Sequence, residues 1–302
     1  MDRSLDHPFP PFELATRVSA LPPGAAAYRE YETWGSMTKG EITRLLPRSW
    51  SFEGKRVLDF GCGAGRTLRH FLAEARAAEI WGVDIDAPSI AWLEANLCPP
   101  LHAALSRPQP PLSFEARSFD LIWAVSVFTH LVSSSADWLL ELHRLLKPGG
   151  LLIATYMGRW NSETIAGEPW DEDRIGMNVL RHDQPWDRGG PMVLMSDWWV
   201  DEHWGRAFDL LARDTNIHNQ EWVLMRRKET DISPEGLLTP GDDRREWTAL
   251  RHNLRQLQRE MEVREREARE LLRAYEDSLS WRLTRSVRWV GRQARRRRAG
   301  AP

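Results

Sequence analysis

The chain has 302 residues, of which 28% are charged and 42% hydrophobic, and its formal net charge is −2. That length predicts one domain of about 200 residues with an appendage. The first residues lack the basic start and long apolar region of a secretory signal, and no apolar run approaches the roughly 18 residues of a membrane span, so we expect neither export by such a signal nor a membrane crossing.

The cysteines and the charge distribution narrow the function further. Cys62 and Cys98 are too few for a disulfide framework, and neither has metal-ligand spacing, so we expect no metal site and a reducing, cytoplasmic location. Acids outnumber bases up to Gly241, whereas the segment from residue 281 to the end contains arginines and no acid. An acidic body binds nucleic acid poorly, so nucleic acid is a disfavoured partner.

The N-terminal segment changes character near residue 25. Residues 1–24 contain several prolines, which predict a flexible, loosely ordered arm able to fold over an active site. Residues 25–46 favour a helix.

The most informative segment is the stretch RVLDFGCGAGRTLRHF at residues 56–71. Its apolar start predicts a buried strand, its three glycines predict a tight turn, and the residues from Arg66 onward predict a helix. A dinucleotide-binding turn of the GxGxxG type needs a glycine where Arg66 stands, and here the spacing is DxGxGxG. With Asp59 two residues before Gly61, the turn suits a cofactor with a cationic or amino-acid end. A tight turn without a ligand is the alternative.

Strands and helices alternate along the rest of the core, which predicts an α/β domain. Pro148 and Gly149 predict the end of one of these helices. Asp86 is placed to cap another, with Pro88 in its first turn. The predicted helices are residues 66–76, 88–97 and 135–146, and the predicted strands after the turn are residues 78–83, 102–105, 120–125, 151–155, 208–212 and 222–225.

Residues 156–201 interrupt this alternation with several tryptophans and no steady period. A long irregular insertion is usually functional, so we expect it to form the wall or lid of a substrate site. Packing over the core is the alternative.

The C-terminal part begins with a linker at residues 231–241 and continues with a predicted coiled coil at residues 242–280. Apolar residues follow a 3,4 spacing there, which indicates pairing with a second copy of the chain. Arg264 interrupts the seam, and an isolated charged helix is the alternative. The seam consists of Trp247, Leu250, Leu254, Leu257, Met261, Ala268, Leu271 and Tyr275.

Four ordered segments carry a resemblance to a known family. They are VLDFGCGAGR, WGVDID, SFDLIWAVSVFTHL and LLKPGGLLIAT. Together they resemble class I S-adenosylmethionine-dependent methyltransferases over about residues 45–228. The resemblance implies an α/β fold with a seven-stranded Rossmann-like sheet in a domain at residues 25–230, followed by the long C-terminal helix. It also implies S-adenosylmethionine as the cofactor.

The same resemblance assigns cofactor contacts. Asp59 would meet the amino group of the cofactor, and Asp84, about 20 residues beyond the turn, would accept the ribose hydroxyls. Asp86 is a rival for the ribose, and the residue holding the adenine amine, near Ser106 or Arg107, stays open. The remaining predicted contacts are Gly61, Cys62, Gly63 and Gly65 at the methionine part, Ile85 at the adenine, and Ala124, Val125 and Ser126 near the sulfonium carbon.

Methyl transfer from a sulfonium needs alignment and, for a hydroxyl acceptor, removal of a proton, but no metal. His130 is a candidate general base because imidazole titrates near neutrality, and a structural histidine at the junction of loop and helix is the alternative. Where N/DPPY would stand for amino-methylation of DNA bases, the chain has AVSVF. Further base candidates are Tyr156, His182, Asp183 and His203.

The tail at residues 281–302 carries a second, partial resemblance. SLSWRLTRSVRWVGR is similar to the SxSWRLTxPLR segment at the ends of bacterial enzymes of surface-polysaccharide assembly, with Ser286 and Val287 in place of proline and leucine. As a helix it would set an apolar stripe among arginines, which suits an anionic membrane surface. A disordered basic tail is the alternative.

Three functions follow from these features. The first is a cytoplasmic enzyme, peripheral on the inner membrane face, that methylates a sugar hydroxyl of a surface glycan or its lipid-linked precursor. The second is a methyltransferase for a soluble small metabolite. The third is a noncatalytic scaffold whose working part is the coiled coil.

Overall fold

The structure is a computed structural model, and it describes residues 7–17, 24–182, 184–185, 189–217 and 219–277. The chain forms two compact units, residues 1–250 and residues 251–302.

The first unit is built around one seven-stranded sheet, which confirms the predicted fold class. Its order is β3-β2-β1-β4-β5-β9-β8. The first five strands are parallel, whereas β9 pairs antiparallel with β5 and β8. The strands are β1 (Arg56–Phe60), β2 (Glu79–Asp84), β3 (His102–Leu105), β4 (Phe119–Ala124), β5 (Leu146–Tyr156), β8 (Phe208–Ile217) and β9 (Gln220–Arg227).

Helices cover both faces of this sheet. The neighbouring residues Val57 and Leu58 belong to two different apolar clusters, because successive strand residues point to opposite faces. Helices α2 (Ala25–Leu45) and α3 (Ala87–Asn96) supply the cluster around Val57, and helices α4 (Ser135–Leu145) and α5 (Asp197–His203) supply the cluster around Leu58. Strands buried on both faces explain the continuous apolar runs in the sequence.

The helix expected at residues 66–76 is wrong. The segment consists of turns and two short 3₁₀ stretches, Leu68–Phe71 and Glu74–Arg76. Arg69 and His70 are both buried, and their side-chain nitrogens lie 3.5 and 3.7 Å from the Glu32 carboxylate of α2. Contacts on several sides have therefore replaced the single apolar face that a surface helix needs.

Three strands are longer than expected. Strand β5 begins at Leu146 and includes the PGG stretch at residues 148–150. Its pairing with β4 shifts register between Phe119 and Leu121, and this irregularity accommodates the PGG stretch. Such a bulge is one of the few places where a strand accepts proline. Strands β8 and β9 extend together to Ile217 and Gln220, which pair directly.

The insertion at residues 156–201 is more regular than its sequence indicates. It contains a two-stranded antiparallel sheet of β6 (Met177–Leu180) and β7 (Met192–Met195) and a π-helical stretch, Asn161–Ala166. Apolar side chains from both strands, including Leu180 and Met192, form a third buried cluster. This local core accounts for much of the apolar composition.

The N-terminal arm is not loosely ordered over residues 7–17. It contains the short helix α1 (Phe12–Thr16), and the ring of Phe9 lies 5.2 Å from that of Tyr28 and 6.3 Å from that of Tyr31. The prolines predicted a break in regular structure but carried no information about these aromatic contacts.

The C-terminal part contains α6 (Pro234–Leu238) and α7 (Arg244–Asp277). Helix α7 is a single helix of 34 residues that fills most of the range predicted as a coiled coil. Within the part of the chain that the structure describes, no helix is long and apolar enough to cross a membrane. The predicted membrane-binding tail at residues 281–302 lies outside the described residues.

Candidate cofactor site

A cavity of about 310 Å³ opens at the carboxyl ends of β1, β2 and β4. Parallel strands place their carboxyl ends along one edge, and the switch in strand order between β1 and β4 leaves a crevice there. The glycine turn, the end of β2, the segment after β4 and the N-terminal arm all line it.

The glycine turn follows β1 and lies between two walls. Gly61 has φ +82°, and a side chain there would meet the Cγ2 atom of Val127 at 2.4 Å. Gly65 has φ +77°, and a side chain there would meet the Cδ2 atom of Leu93 at 2.5 Å. Gly61 and Gly63 line the cavity together with Cys62, whereas Gly65 packs against α3 and does not line it. The cofactor contact expected of Gly65 is therefore not placed at the cavity wall.

Asp84 is the last residue of β2 and faces the glycine turn. Its Oδ2 atom accepts the Gly63 N–H at 2.7 Å, and its Oδ1 atom accepts the Asp86 N–H at 2.9 Å. Burial raises the pKa of this carboxyl, and the hydrogen bonds from the two amides act in the opposite direction. Each oxygen keeps a second lone pair, so the oriented carboxylate has the acceptors that two ribose hydroxyls need.

Asp59 lies at the floor of the cavity and is 3% exposed. Burial raises its pKa to about 7, and the Trp123 indole and the Arg66 guanidinium lower it only in part. Among the described residues, its Oδ2 atom has no hydrogen-bond partner. A buried carboxylate oxygen without a partner beside a ligand cavity fits the amino group of S-adenosylmethionine, because an ammonium would supply the missing donor.

Asp86 is occupied by protein groups. It is 5% exposed, and its carboxylate accepts the Arg17 guanidinium at 2.6 Å and the Ser89 hydroxyl. It holds the cap position of α3 as predicted, but its side chain bonds to no backbone amide of that helix. These partners leave Asp84 as the stronger candidate for the ribose.

Two residues at the predicted adenine position line the cavity. Ile85 and Ser106 both line it, and the Ser106 hydroxyl donates to the Arg107 carbonyl at 2.8 Å. Sequence reasoning missed Pro108 and Trp138, which also line the cavity and are joined by an N–H···O contact of 3.3 Å. A tryptophan on the apolar face of a predicted helix gave no sign of this position.

His130 also lines the cavity. Its Nδ1 atom lies 2.8 Å from the Pro191 carbonyl. A carbonyl only accepts, so in the neutral ring Nδ1 carries the proton and Nε2 keeps a lone pair. Burial lowers the pKa of His130, which favours this neutral form. Both sequence-based interpretations therefore have support, because the ring is fixed by the backbone and also faces the cavity.

Of the three residues expected near the sulfonium carbon, two line the cavity. Val125 and Ser126 do so, whereas Ala124 is fully buried in the sheet. Ser126 has φ +61°, and its N–H donates to the Thr155 hydroxyl at 2.7 Å. The chain therefore leaves the sheet after Ala124, and the two residues that follow reach the cavity.

The further base candidates do not reach this cavity. The Tyr156 hydroxyl donates to Asp197 at 2.6 Å, and His203 is 1% exposed between the Leu237 carbonyl and the Glu246 carboxylate. His182 does not line the cavity, and Asp183 lies outside the described residues. Within the described ranges no cluster of three or more histidine, cysteine or acidic side chains could hold a metal ion.

The strand order, the glycine turn and the carboxylate at the end of β2 together define the seven-stranded fold of class I methyltransferases. Consistent with this class, residues 58–152 match the family model described as a methyltransferase domain.

Curated relatives agree with that match, and a solved structure shares the fold. The ubiquinone biosynthesis O-methyltransferase of Roseobacter denitrificans is 33% identical over 131 residues, which cover 40% of this chain and 48% of the relative. A tRNA U34 carboxymethyltransferase of Idiomarina loihiensis is 31% identical over 146 residues, covering 47% and 42% of the two chains. The crystal structure of the PH0226 protein from Pyrococcus horikoshii OT3 is similar with a TM-score of 0.51 at 19% identity, covering 66% of this chain and 92% of that one.

The extent of these matches limits what they establish. The chain spans about half or less of the length of the curated relatives, and the solved structure bears on the fold alone. Residues 58–152 therefore resemble a methyltransferase domain, and the activity and the cofactor of the whole chain are proposals.

Proposed function

We propose that the chain transfers the methyl group of S-adenosylmethionine to a hydroxyl oxygen. The observation that carries this proposal is one cavity that holds two carboxylates suited to the donor, Asp59 and Asp84, and a neutral imidazole suited to proton removal, His130. Val125 and Ser126, the residues expected near the sulfonium carbon, line the same cavity.

Each side chain has a distinct role in this proposal. The cofactor supplies a methyl group already activated on a sulfonium. Asp84 would hold the ribose, Asp59 would take the amino group, and the backbone of the glycine turn would allow close approach. The Nε2 atom of His130 would accept the proton that the acceptor hydroxyl loses when it is methylated.

Binding of S-adenosylhomocysteine, measured by calorimetry, tests the donor half. We expect Asp84→Ala to weaken binding by about 1 to 3 kcal/mol, because charged hydrogen bonds to the ribose are lost. His130→Gln is the matched control and should bind normally, since His130 faces the acceptor. Absence of binding to the wild type would overturn the enzyme proposal and favour a noncatalytic scaffold, and equal affinity in Asp84→Ala would remove the ribose assignment.

The acceptor is a separate part of the proposal. A sugar hydroxyl of a surface glycan or glycolipid follows from the resemblance of the tail, which lies outside the described residues. A small metabolite is the alternative, and the name of the Roseobacter relative, a ubiquinone biosynthesis O-methyltransferase, favours oxygen as the methylated atom. Mass spectrometry of surface glycan from a deletion strain decides between them, because only a sugar acceptor predicts the loss of a methyl group there.

Assembly and location also stay predictions. Self-association through residues 242–280 rests on the heptad spacing in α7, and attachment to an anionic membrane rests on residues 281–302. A cytoplasmic location, peripheral on the inner membrane face, depends on that second segment.

A further inference from the structure

The N-terminal arm forms part of the cavity wall. Leu14, Ala15 and Arg17 all line the cavity, although they precede the sheet by about forty residues of sequence. Ala15 is 2% exposed, so the arm is packed against the domain and not laid loosely over it.

One end of the arm is held by Arg69. Its guanidinium donates to the His7 carbonyl at 2.9 Å and to the Pro8 carbonyl at 3.3 Å, and it lies 4.3 Å from the centre of the Phe9 ring. Arg69 itself is 1% exposed, so these contacts form in a dry environment where they are strong.

Arg17 makes a second contact between the arm and the domain. Its Nη1 atom lies 2.6 Å from the Oδ1 atom of Asp86, and the side chain of Asp86 is 6% exposed while that of Arg17 is 30% exposed. Removal of Arg17 would leave a buried carboxylate with the Ser89 hydroxyl as its remaining side-chain partner.

This ion pair is adjacent to the proposed ribose site. The backbone N–H of Asp86 donates to the Oδ1 atom of Asp84, so the residue that Arg17 grips also orients the ribose carboxylate. We propose that Arg17 is a positioning residue that couples closure of the N-terminal arm to cofactor binding, acting through Asp86 on Asp84. The inference rests on the proposed function, because it takes Asp84 as the ribose ligand.

Coupling of this kind is reciprocal. If a closed arm improves the cofactor site, then a bound cofactor must favour the closed arm by the same factor. Arg17 offers a direct readout, since trypsin cleaves after arginine and the bond from Arg17 to Val18 directly follows the residue that pairs with Asp86.

Limited trypsin digestion of the full chain, with and without S-adenosylhomocysteine, measures arm closure. We expect a saturating ligand to slow cleavage after Arg17 several-fold, as followed by mass spectrometry of the product that starts at Val18. Cleavage after Arg48, which is exposed in a turn and does not line the cavity, is the internal control and should keep its rate. Equal rates after Arg17 with and without ligand would overturn the proposal.

Calorimetry on variants measures the other direction of the coupling. Arg17→Ala should weaken S-adenosylhomocysteine binding about 10-fold, the effect of losing one charged hydrogen bond. Arg17→Lys keeps the charge and should recover most of the affinity. The matched control Arg29→Ala removes an exposed arginine of α2 and should bind like the wild type.

The outcomes separate this inference from the proposed function. Wild-type binding with unchanged affinity in Arg17→Ala overturns the coupling and leaves the methyltransferase proposal intact. Loss of affinity that Arg17→Lys does not recover also overturns it, because the effect would then come from general damage to the arm. Absence of wild-type binding would end the proposed function first.

Discussion

At the scale of single residues, the buried carboxyl of Asp59 lowers the stability of the folded chain when it is ionised. This carboxyl has an ordinary pKa of 3.8 that burial raises to about 7. Between pH 3.8 and about 7, Asp59 is therefore protonated in the folded chain and ionised in the unfolded chain. The destabilisation from Asp59 appears as pH rises through this window and is complete above it. A cationic ligand group would offset that penalty.

This leads to a prediction about protons. At pH 6 most Asp59 carboxyls carry a proton, and an arriving ammonium lowers the pKa of the carboxyl, so we expect binding of S-adenosylhomocysteine to release close to one proton. At pH 8 the release should vanish. Calorimetry in two buffers of different ionisation enthalpy counts the protons. The control Asp59→Asn should release none at either pH, and a full release from that variant would assign the proton to another group.

The residues proposed to bind the methyl donor were easier to predict from the sequence than the other residues that line the cavity. Asp59, Gly63 and Asp84 lie within one motif and the strand beside it, so sequence order alone brings them together, although their contacts with a cofactor stay predictions. Trp138 and Arg17 reach the same cavity through tertiary packing that no spacing in the chain reveals. Their side chains are of types that serve equally well in a core or on a surface.

At the scale of elements, helix α2 crosses the glycine-turn segment at very short range. A Cβ atom at Gly35 would meet the Arg66 carbonyl oxygen at 2.1 Å and the Nε2 atom of His70 at 2.7 Å. Tyr31, one turn earlier, donates its hydroxyl to the Ala64 carbonyl at 2.9 Å. The helix therefore holds the turn through a hydrogen bond and a close backbone contact.

Two glycines of α2 allow a matched test of this contact. Gly35→Ala should lower the free energy of unfolding by about 1 to 3 kcal/mol, because backbone has to move to admit the methyl group. At Gly40, on the same helix, a Cβ atom would meet no described atom within 4 Å apart from its chain neighbours and the nearby helix backbone, so Gly40→Ala should raise that free energy by about 0.5 to 1 kcal/mol through helix propensity. Denaturant unfolding measures both. Equal effects of the two substitutions would contradict the close crossing.

Burial and tertiary contacts explain which elements could be predicted from the sequence. The strands of the parallel sheet are buried on both faces, so their apolar runs gave their positions to within a few residues. Residues 66–76 failed because buried Arg69 and His70 interact with α2, and such contacts override local helix preference. The small sheet of β6 and β7 was missed because it lies within the insertion, outside the alternation of strands and helices that located β3, a strand of the same length.

At the scale of the whole molecule, α7 exposes several apolar side chains of one stripe within the part of the chain that the structure describes. Within residues 251–277, Leu254, Met261 and Leu271 are 57%, 54% and 72% exposed. Their spacing follows the heptad pattern, and Arg264 interrupts it with a side chain that lies 4.0 Å from Glu260 on the same helix. A stripe of this kind buries its apolar surface when a second copy of the helix packs against it.

A dimer formed through α7 should depend on the apolar side chains of the seam. Leu271→Glu should raise the dissociation constant of this dimer at least 10-fold, since burying one leucine contributes about 1.5 to 3 kcal/mol and each copy of the chain loses one leucine. Val263→Glu is the matched control, because Val263 is an exposed apolar residue of α7 outside the seam, and its variant should associate normally. Arg264→Leu completes the seam and should tighten association. Sedimentation velocity measures all three, and a monomeric wild type at micromolar concentration, or equal effects of Leu271→Glu and Val263→Glu, would leave α7 as an isolated charged helix.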